Sequence, residues 1–197
     1  MSRSFLDDLG VAFGTDKSSL LHNYLVEYEK FFPDRENVHW VMEIGVQRGD
    51  KKWHARHPVP SLKVWKEFFT NAEIIGVDIK DIDYHEERMA VWIADQSDFM
   101  DLEEISRLFT DLDFIIDDGS HKPDDQIHTF EFLKDSLKSG GIYIIEDCNA
   151  VAQKAYPEKE QIHAIIRRMK PLLSDWELHW IGSKSAGPKS SLVMKKK

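Results

Sequence analysis

The sequence predicts an α/β fold, a Rossmann-like doubly wound sheet of seven strands, mostly parallel with an antiparallel C-terminal strand. Three observations carry this. Short β-branched apolar runs without polar alternation recur along the chain, as in Phe114-Ile115-Ile116 and Ile142-Tyr143-Ile144-Ile145, which suits parallel strands covered on both faces. Amphipathic segments of helical length alternate with those runs. Two further strand patterns then follow each other without a helix between them, which suits an antiparallel hairpin.

Residues 1–37 are expected to form an N-terminal helical segment, and residues 38–197 a single sheet domain. Ser4 is a capping residue ahead of Phe5-Leu6, and Gly14-Thr15-Asp16-Lys17 is a turn. Tyr24, Tyr28 and Phe31 then recur at helical spacing. The first strand spans 38–45 and ends at Gly45. Helix 61–71 buries Leu62, Trp65 and Phe68. Strand 73–79 carries Asp78 near its end, and strand 89–94 leads into Asp95-Gln96. Helix 98–112 precedes the fourth strand, which ends in Asp117-Asp118-Gly119-Ser120-His121. Helix 124–137, with Asp124 and Asp125 at its start, is stopped by Gly140-Gly141, and the fifth strand ends in Glu146-Asp147. A helix over 158–173 and strands 176–181 and 191–195 complete the order. Lys195-Lys196-Lys197 is expected to be a solvated tail.

Lys and Arg total 26 against 35 Asp and Glu, a formal net charge of -9. Nucleic-acid and anionic-membrane partners both want a basic footprint, so neither is expected. No run approaches the ~20 apolar residues of a membrane span, and the first residues lack a signal-peptide core. Cys148 is the single cysteine; no intrachain disulfide can form, and a small buried hydrophobe is its simplest role. The expectation is a cytoplasmic protein, with homo-oligomerisation left open.

The chemistry concentrates at two acidic strand ends. Ligand crevices of open α/β sheets lie beyond the carboxyl ends of their strands. If the fourth and fifth strands are neighbours, Asp117, Asp118, Glu146, Asp147 and His121 converge there. Unpaired, those carboxylates repel one another, and a divalent cation with oxygen ligands is the simplest remedy. The first strand end, Glu43-Ile44-Gly45-Val46, lets a ligand lie against bare backbone at Gly45. Asp78 suits a ribose diol. The pattern is E-x-G-x-x-x-G, so an adenosyl group without a diphosphate fits better than NAD.

These residues resemble the macrocin-type sugar O-methyltransferases, a class I S-adenosylmethionine-dependent family. The match is carried, in order over residues 10–150, by Phe13-Gly14-Thr15-Asp16-Lys17, His22 with Tyr24, Glu43-Ile44-Gly45-Val46, Gly76-Val77-Asp78-Ile79, Asp95-Gln96-Ser97-Asp98, Asp117-Asp118-Gly119-Ser120-His121 and Ile145-Glu146-Asp147. The same acidic site is similar to that of the cephalosporin hydroxylase relatives. The resemblance implies S-adenosylmethionine and Mg2+ as cofactors. It places Asp118, Glu146 and Asp147 on the metal and makes His121 the general base. Thr15, Lys17, Glu43, Gly45, Asp78, Asp95, Gln96 and Asp117 would serve the cofactor, and His22 and Tyr24 the substrate. The acceptor would be a small molecule or oligosaccharide, a deoxyhexose such as rhamnose.

Alternatives stand beside this. Asp117 also suits a brace for its turn, and Gly14–Lys17 a plain connector. Residues 50–60 interrupt the family's glycine loop; Trp53, His54, Arg56 and His57 there suit a substrate lid or a surface loop equally. A hydroxylase-type oxygenase and a catalytically silent adenosyl-binding module are the rival functions. The two-histidine iron triad of the former is not apparent.

Overall fold

The computed structural model describes residues 4–32, 34–46, 57–148, 165–182 and 190–197. Trp53, His54 and Arg56 of the interrupting loop lie outside them. Helix α1 (Phe5–Phe13) starts where the Ser4 side chain accepts from the Asp7 amide, and stops at Gly14 with φ +79°. Helix α2 (Tyr24–Tyr28) continues as a 3-10 turn. Then come β1 (Trp40–Ile44), α3 (Pro60–Phe68), β2 (Glu73–Asp78), β3 (His85–Glu86), β4 (Met89–Ile93), α4 (Phe99–Leu108), β5 (Leu112–Asp117), α5 (Pro123–Leu133), β6 (Leu137–Ile145), β7 (Trp176–Gly182) and β8 (Ser190–Lys196). Proline opens both α3 and α5, where its missing N–H costs nothing.

The sheet order is β3-β4-β2-β1-β5-β6-β8-β7. β4, β2, β1, β5 and β6 are parallel neighbours, while β8 runs antiparallel to β6 and to β7. The expected seven strands are therefore present, and the mostly parallel sheet with its C-terminal antiparallel pairing is observed. An eighth strand is the correction. β3 is two residues long and pairs antiparallel with β4. It is held by side chains rather than by strand propensity: Lys63 and Lys66 of α3 donate to Glu86 Oε1 at 2.7 and 2.6 Å, and Tyr84 OH donates to Oε2 at 2.9 Å.

Burial opposes ionisation of Glu86, but those three donors hold its carboxyl down at about 2. A carboxyl depressed on folding stabilises above its unfolded pKa and loses that stabilisation as pH falls through its folded pKa. Glu86→Gln should therefore cost about 1 kcal/mol at pH 7, after solvent screening of a partly exposed cluster. The difference should vanish as pH falls from 4.5 toward 2, read by urea unfolding at stepped pH.

Two apolar layers sandwich the sheet. Val41, Ile74, Phe114, Ile116 and Ile144 pack on one side against Leu6, Tyr24, Trp65 and Phe68. Met42, Ile44, Ile75, Ile115 and Ile145 pack on the other against Ile105, Ile127, Phe130 and Met169. Side chains alternate across each strand, so Glu43 shares the Val41 face and Asp117 the Ile115 face.

Three boundaries differ from expectation. α5 ends at Leu133 and β6 begins at Leu137, so Gly140-Gly141 lies inside a strand instead of stopping a helix. Leu137 pairs with Leu112 across a register shift, and Gly140 takes φ +79°. α4 ends at Leu108, short of 112. Lys196 is in β8 and its Nζ donates to the carbonyls of Lys134 and Leu137, so the terminal lysines are not simply solvated. Of the expected helix 158–173, residues 165–169 are helical and the remainder up to 164 lies outside the described residues. Cys148 is buried and donates to the Ile145 carbonyl at 3.3 Å. Among the described residues, no helix is long and apolar enough to cross a membrane.

Candidate active site

Three strand tips meet at one point because the ladder continues past its last paired residues. Asp118 N donates to Ile44 O, Glu146 N to Asp117 O and Gly45 N to Val77 O, at 2.8–2.9 Å. β1, β5 and β6 therefore deliver Gly45, Asp118 and Glu146 to neighbouring positions. A cavity of 930 Å³ opens beyond them. Thr15, Lys17, Gly45, Asp78, Asp95, Gln96, Asp118, His121 and Asp147 all line it. Glu43, Asp117, Glu146, His22 and Tyr24 stand outside the lining, each in contact with a residue that belongs to it.

Gly45 has φ +80°, and a Cβ there would sit 2.3 Å from the Asp118 carbonyl oxygen. Backbone cannot give way as a side chain can, so glycine is required by conformation and by space. Gly45→Ala should lower stability by at least about 2 kcal/mol and weaken any ligand of this loop. Urea unfolding and S-adenosylhomocysteine calorimetry would read both effects.

Asp78 accepts from the amides of Val46 at 3.1 Å and Lys80 at 2.9 Å, tying the β1 and β2 loops together. Asp95 accepts from Ser97 N and Oγ at 2.8 and 2.7 Å, which holds its carboxyl below the ordinary range. Gln96 bridges the two halves. Its Nε2 donates to Asp117 Oδ1 and to Thr129 Oγ1, both at 3.1 Å, and its Oε1 accepts from Ser120 N. Burial pushes Asp117 up to about 6, against the donors Gln96 and Gly119. In this arrangement Asp117 braces Gln96 and the turn.

On the opposite face Lys17 reaches in from the loop after α1. Its Nζ donates to Asp118 Oδ2 and to Glu146 Oε2 at 2.9 Å, and lies 3.3 Å from Glu43 Oε1. Burial alone would push the Lys17 ammonium down; the surrounding carboxylates outweigh it and hold it well above the ordinary lysine range. Glu43 is fixed from behind by the Trp65 indole at 2.8 Å. Burial pushes both Glu43 and Glu146 up, with Lys17 opposing. One ammonium thus serves three buried or half-buried carboxylates.

His121 and Asp147 both take left-handed backbone, at φ +59° and +51°. Non-glycine residues in that region are strained, and such strain concentrates at functional sites. The turn aims His121 Nε2 to within 4.0 Å of Asp118 Oδ1 and 3.9 Å of Asp147 Oδ2. Tyr24 OH donates to Asp147 Oδ1 at 2.8 Å, and His22 Nε2 lies 3.2 Å from Asp16 Oδ2. Donor atoms of Asp118, His121 and Asp147 lie within 4.8 Å of one another, close enough to share a cation. Among the described residues, Glu146 Oε1, Glu43 Oε1 and His121 Nδ1 are buried without a hydrogen-bond partner. The unbonded Glu146 oxygen beside the convergent Asp118 and Asp147 carboxylates fits a hard divalent cation.

Sequence reasoning missed Trp65, which fixes Glu43, and Gln126, whose Nε2 donates to the Glu146 carbonyl at 3.0 Å. It also missed Tyr84, whose hydroxyl lies 3.2 Å from His57 Nε2 at the cavity rim. Each sits 20–27 residues from its partner, beyond the reach of a local motif.

No family model matches the chain. It is 36% identical over 144 residues to an 8-demethyl-8-alpha-L-rhamnosyl tetracenomycin-C 2'-O-methyltransferase of Streptomyces olivaceus, covering 72% of this chain and 37% of that protein. Demethylmacrocin O-methyltransferase of Streptomyces fradiae is 34% identical over 144 residues, 72% of this chain and 36% of that protein. Among solved structures, the MycE methyltransferase of mycinamycin biosynthesis, in complex with Mg, SAH and mycinamycin VI, aligns with TM-score 0.79 and 27% identity. That alignment covers 99% of this chain and 55% of that one. The chain spans less than two fifths of the length of the curated relatives it matches.

Proposed function

This chain is a member of the macrocin-type sugar O-methyltransferase family, and we propose on that footing that it moves the methyl group of S-adenosylmethionine to a hydroxyl of a deoxyhexose, such as rhamnose, in a glycan or glycosylated product. The observation that carries the proposal is the convergence of Asp118, Asp147 and the His121 imidazole at the cavity that Gly45, Asp78 and Gln96 also line. S-Adenosylmethionine supplies an electrophilic methyl group, and a divalent cation such as Mg2+ acidifies and orients a hydroxyl.

Gly45, Asp78, Asp95, Gln96 and Thr15 would hold the cofactor, with Asp117 bracing Gln96 and with Lys17, paired to Glu43, lining the same cavity. Asp118, Glu146 and Asp147 would hold the cation. His121 Nε2, 3.9–4.0 Å from carboxylate oxygens of Asp118 and Asp147, takes the acceptor's hydroxyl proton. Residues 1–37 act as a lid segment on the sheet domain of 38–197: Thr15, Asp16 and Lys17 line the cavity, and Tyr24 and His22 lie behind Asp147 and Asp16. Covering the site excludes water and strengthens its electrostatics.

The test is methyl transfer from labelled S-adenosylmethionine to a panel of rhamnosides and other deoxyhexosides, with Mg2+ and with EDTA. Mg2+-dependent transfer to at least one glycoside is expected. Cofactor binding with no transfer to any acceptor would favour a silent binding module instead.

A further inference from the structure

Lys17 lines the cavity, and its ammonium is committed to carboxylates. Its side chain is 2% exposed, and its ammonium sits on Asp118, Glu146 and Glu43, residues from three different strand ends. Two of those carboxylates are cation ligands in the proposed function, and the inference rests on that reading. We propose that Lys17 is a built-in competitor for the divalent cation: its ammonium holds Asp118 and Glu146 together in the metal-free protein and withdraws to Glu43 when the cation enters.

Three features favour a mobile head on a fixed stem. The Lys17 backbone is pinned, because its carbonyl accepts from Tyr24 N at 2.9 Å and Leu25 N at 3.1 Å at the start of α2. Movement is therefore left to the side chain. Glu43 is the natural retreat: one oxygen is held by the Trp65 indole, and the other has no hydrogen bond and already faces Nζ at 3.3 Å. An ammonium and a dication cannot share the same two oxygens without strong repulsion in a buried setting. Without any cation, buried carboxylates at the tips of β5 and β6 would repel, so Lys17 keeps the ligand set assembled at the cost of affinity.

Calorimetric titration with Mn2+ alone, on the full chain, tests this without relying on turnover. Lys17→Met is expected to bind Mn2+ at least about tenfold more tightly than wild type, because one competing charge is gone. Glu43→Gln removes the retreat and is expected to weaken Mn2+ binding in the wild-type background and to leave it unchanged in the Lys17→Met background. A merely structural lysine would give the reverse, with Lys17→Met binding Mn2+ more weakly or unchanged; that result overturns the inference while leaving the metal reading intact. Binding by neither wild type nor Lys17→Met overturns both. If Lys17→Met does not fold, as circular dichroism would report, Glu43→Gln alone decides: weaker Mn2+ binding supports the inference, and unchanged binding overturns it.

Discussion

Replacing His121 with alanine should lower methyl transfer by about 10²–10⁴-fold, the usual contribution of a positioned general base. S-Adenosylhomocysteine affinity should stay within a few-fold of wild type. The separation follows from the architecture. His121 stands on the strained turn between β5 and α5, beside Asp118 and Asp147, whereas the proposed adenosyl half draws on the ends of β1, β2 and β4. Among the described residues the imidazole makes no hydrogen bond to that half, so its loss should remove proton transfer and leave the cofactor cleft. A His121→Ala enzyme with wild-type rates from pH 6 to 9 would refute the assignment of the base.

Asp118→Asn should abolish the response to metal. Wild-type turnover should rise with Mg2+ and fall with EDTA, while the variant should run at one low rate in both. Mn2+ affinity should fall by about a hundredfold or more, beyond the range seen for partners that only support a ligand. Asp118 donates its carboxylate directly to the cluster, yet Lys17 keeps Glu146 and Glu43 as partners after the change. The fold should therefore survive, and urea unfolding should shift by far less than the loss of a buried ion would demand. An Asp118→Asn protein that keeps full Mg2+ stimulation would remove Asp118 from the ligand set.

Much of this architecture was legible because its elements are locally consistent. The runs 114–116 and 142–145 have no polar alternation, and both are buried on two faces as β5 and β6. Their acidic ends could be read as one site because parallel neighbours bring their carboxyl ends together. What stayed hidden depends on contacts distant in sequence. β3 exists because two lysines of α3 reach Glu86. The helix boundary near residue 137 was misplaced because Gly140 makes a left-handed step inside a strand, and an isolated Gly-Gly pair signals a stop equally well. Lys17 lies 101 and 129 residues from the carboxylates it holds, and no local pattern encodes such a meeting. Glu43 and Asp117, expected by motif to serve the cofactor, stand outside the cavity lining and bond to Trp65 and to Gln96, the second of which lines it.

Anomalous diffraction from crystals grown with Mn2+ and S-adenosylhomocysteine interrogates the heart of this reading. The expected map has one strong peak bonded to oxygens of Asp118, Glu146 and Asp147 at ~2.0–2.2 Å, within the octahedral oxygen shell of such cations, and His121 Nε2 free to face an acceptor. A peak bonded to His121 Nε2 would take away the base. A map with no peak among those carboxylates would take away the metal site itself.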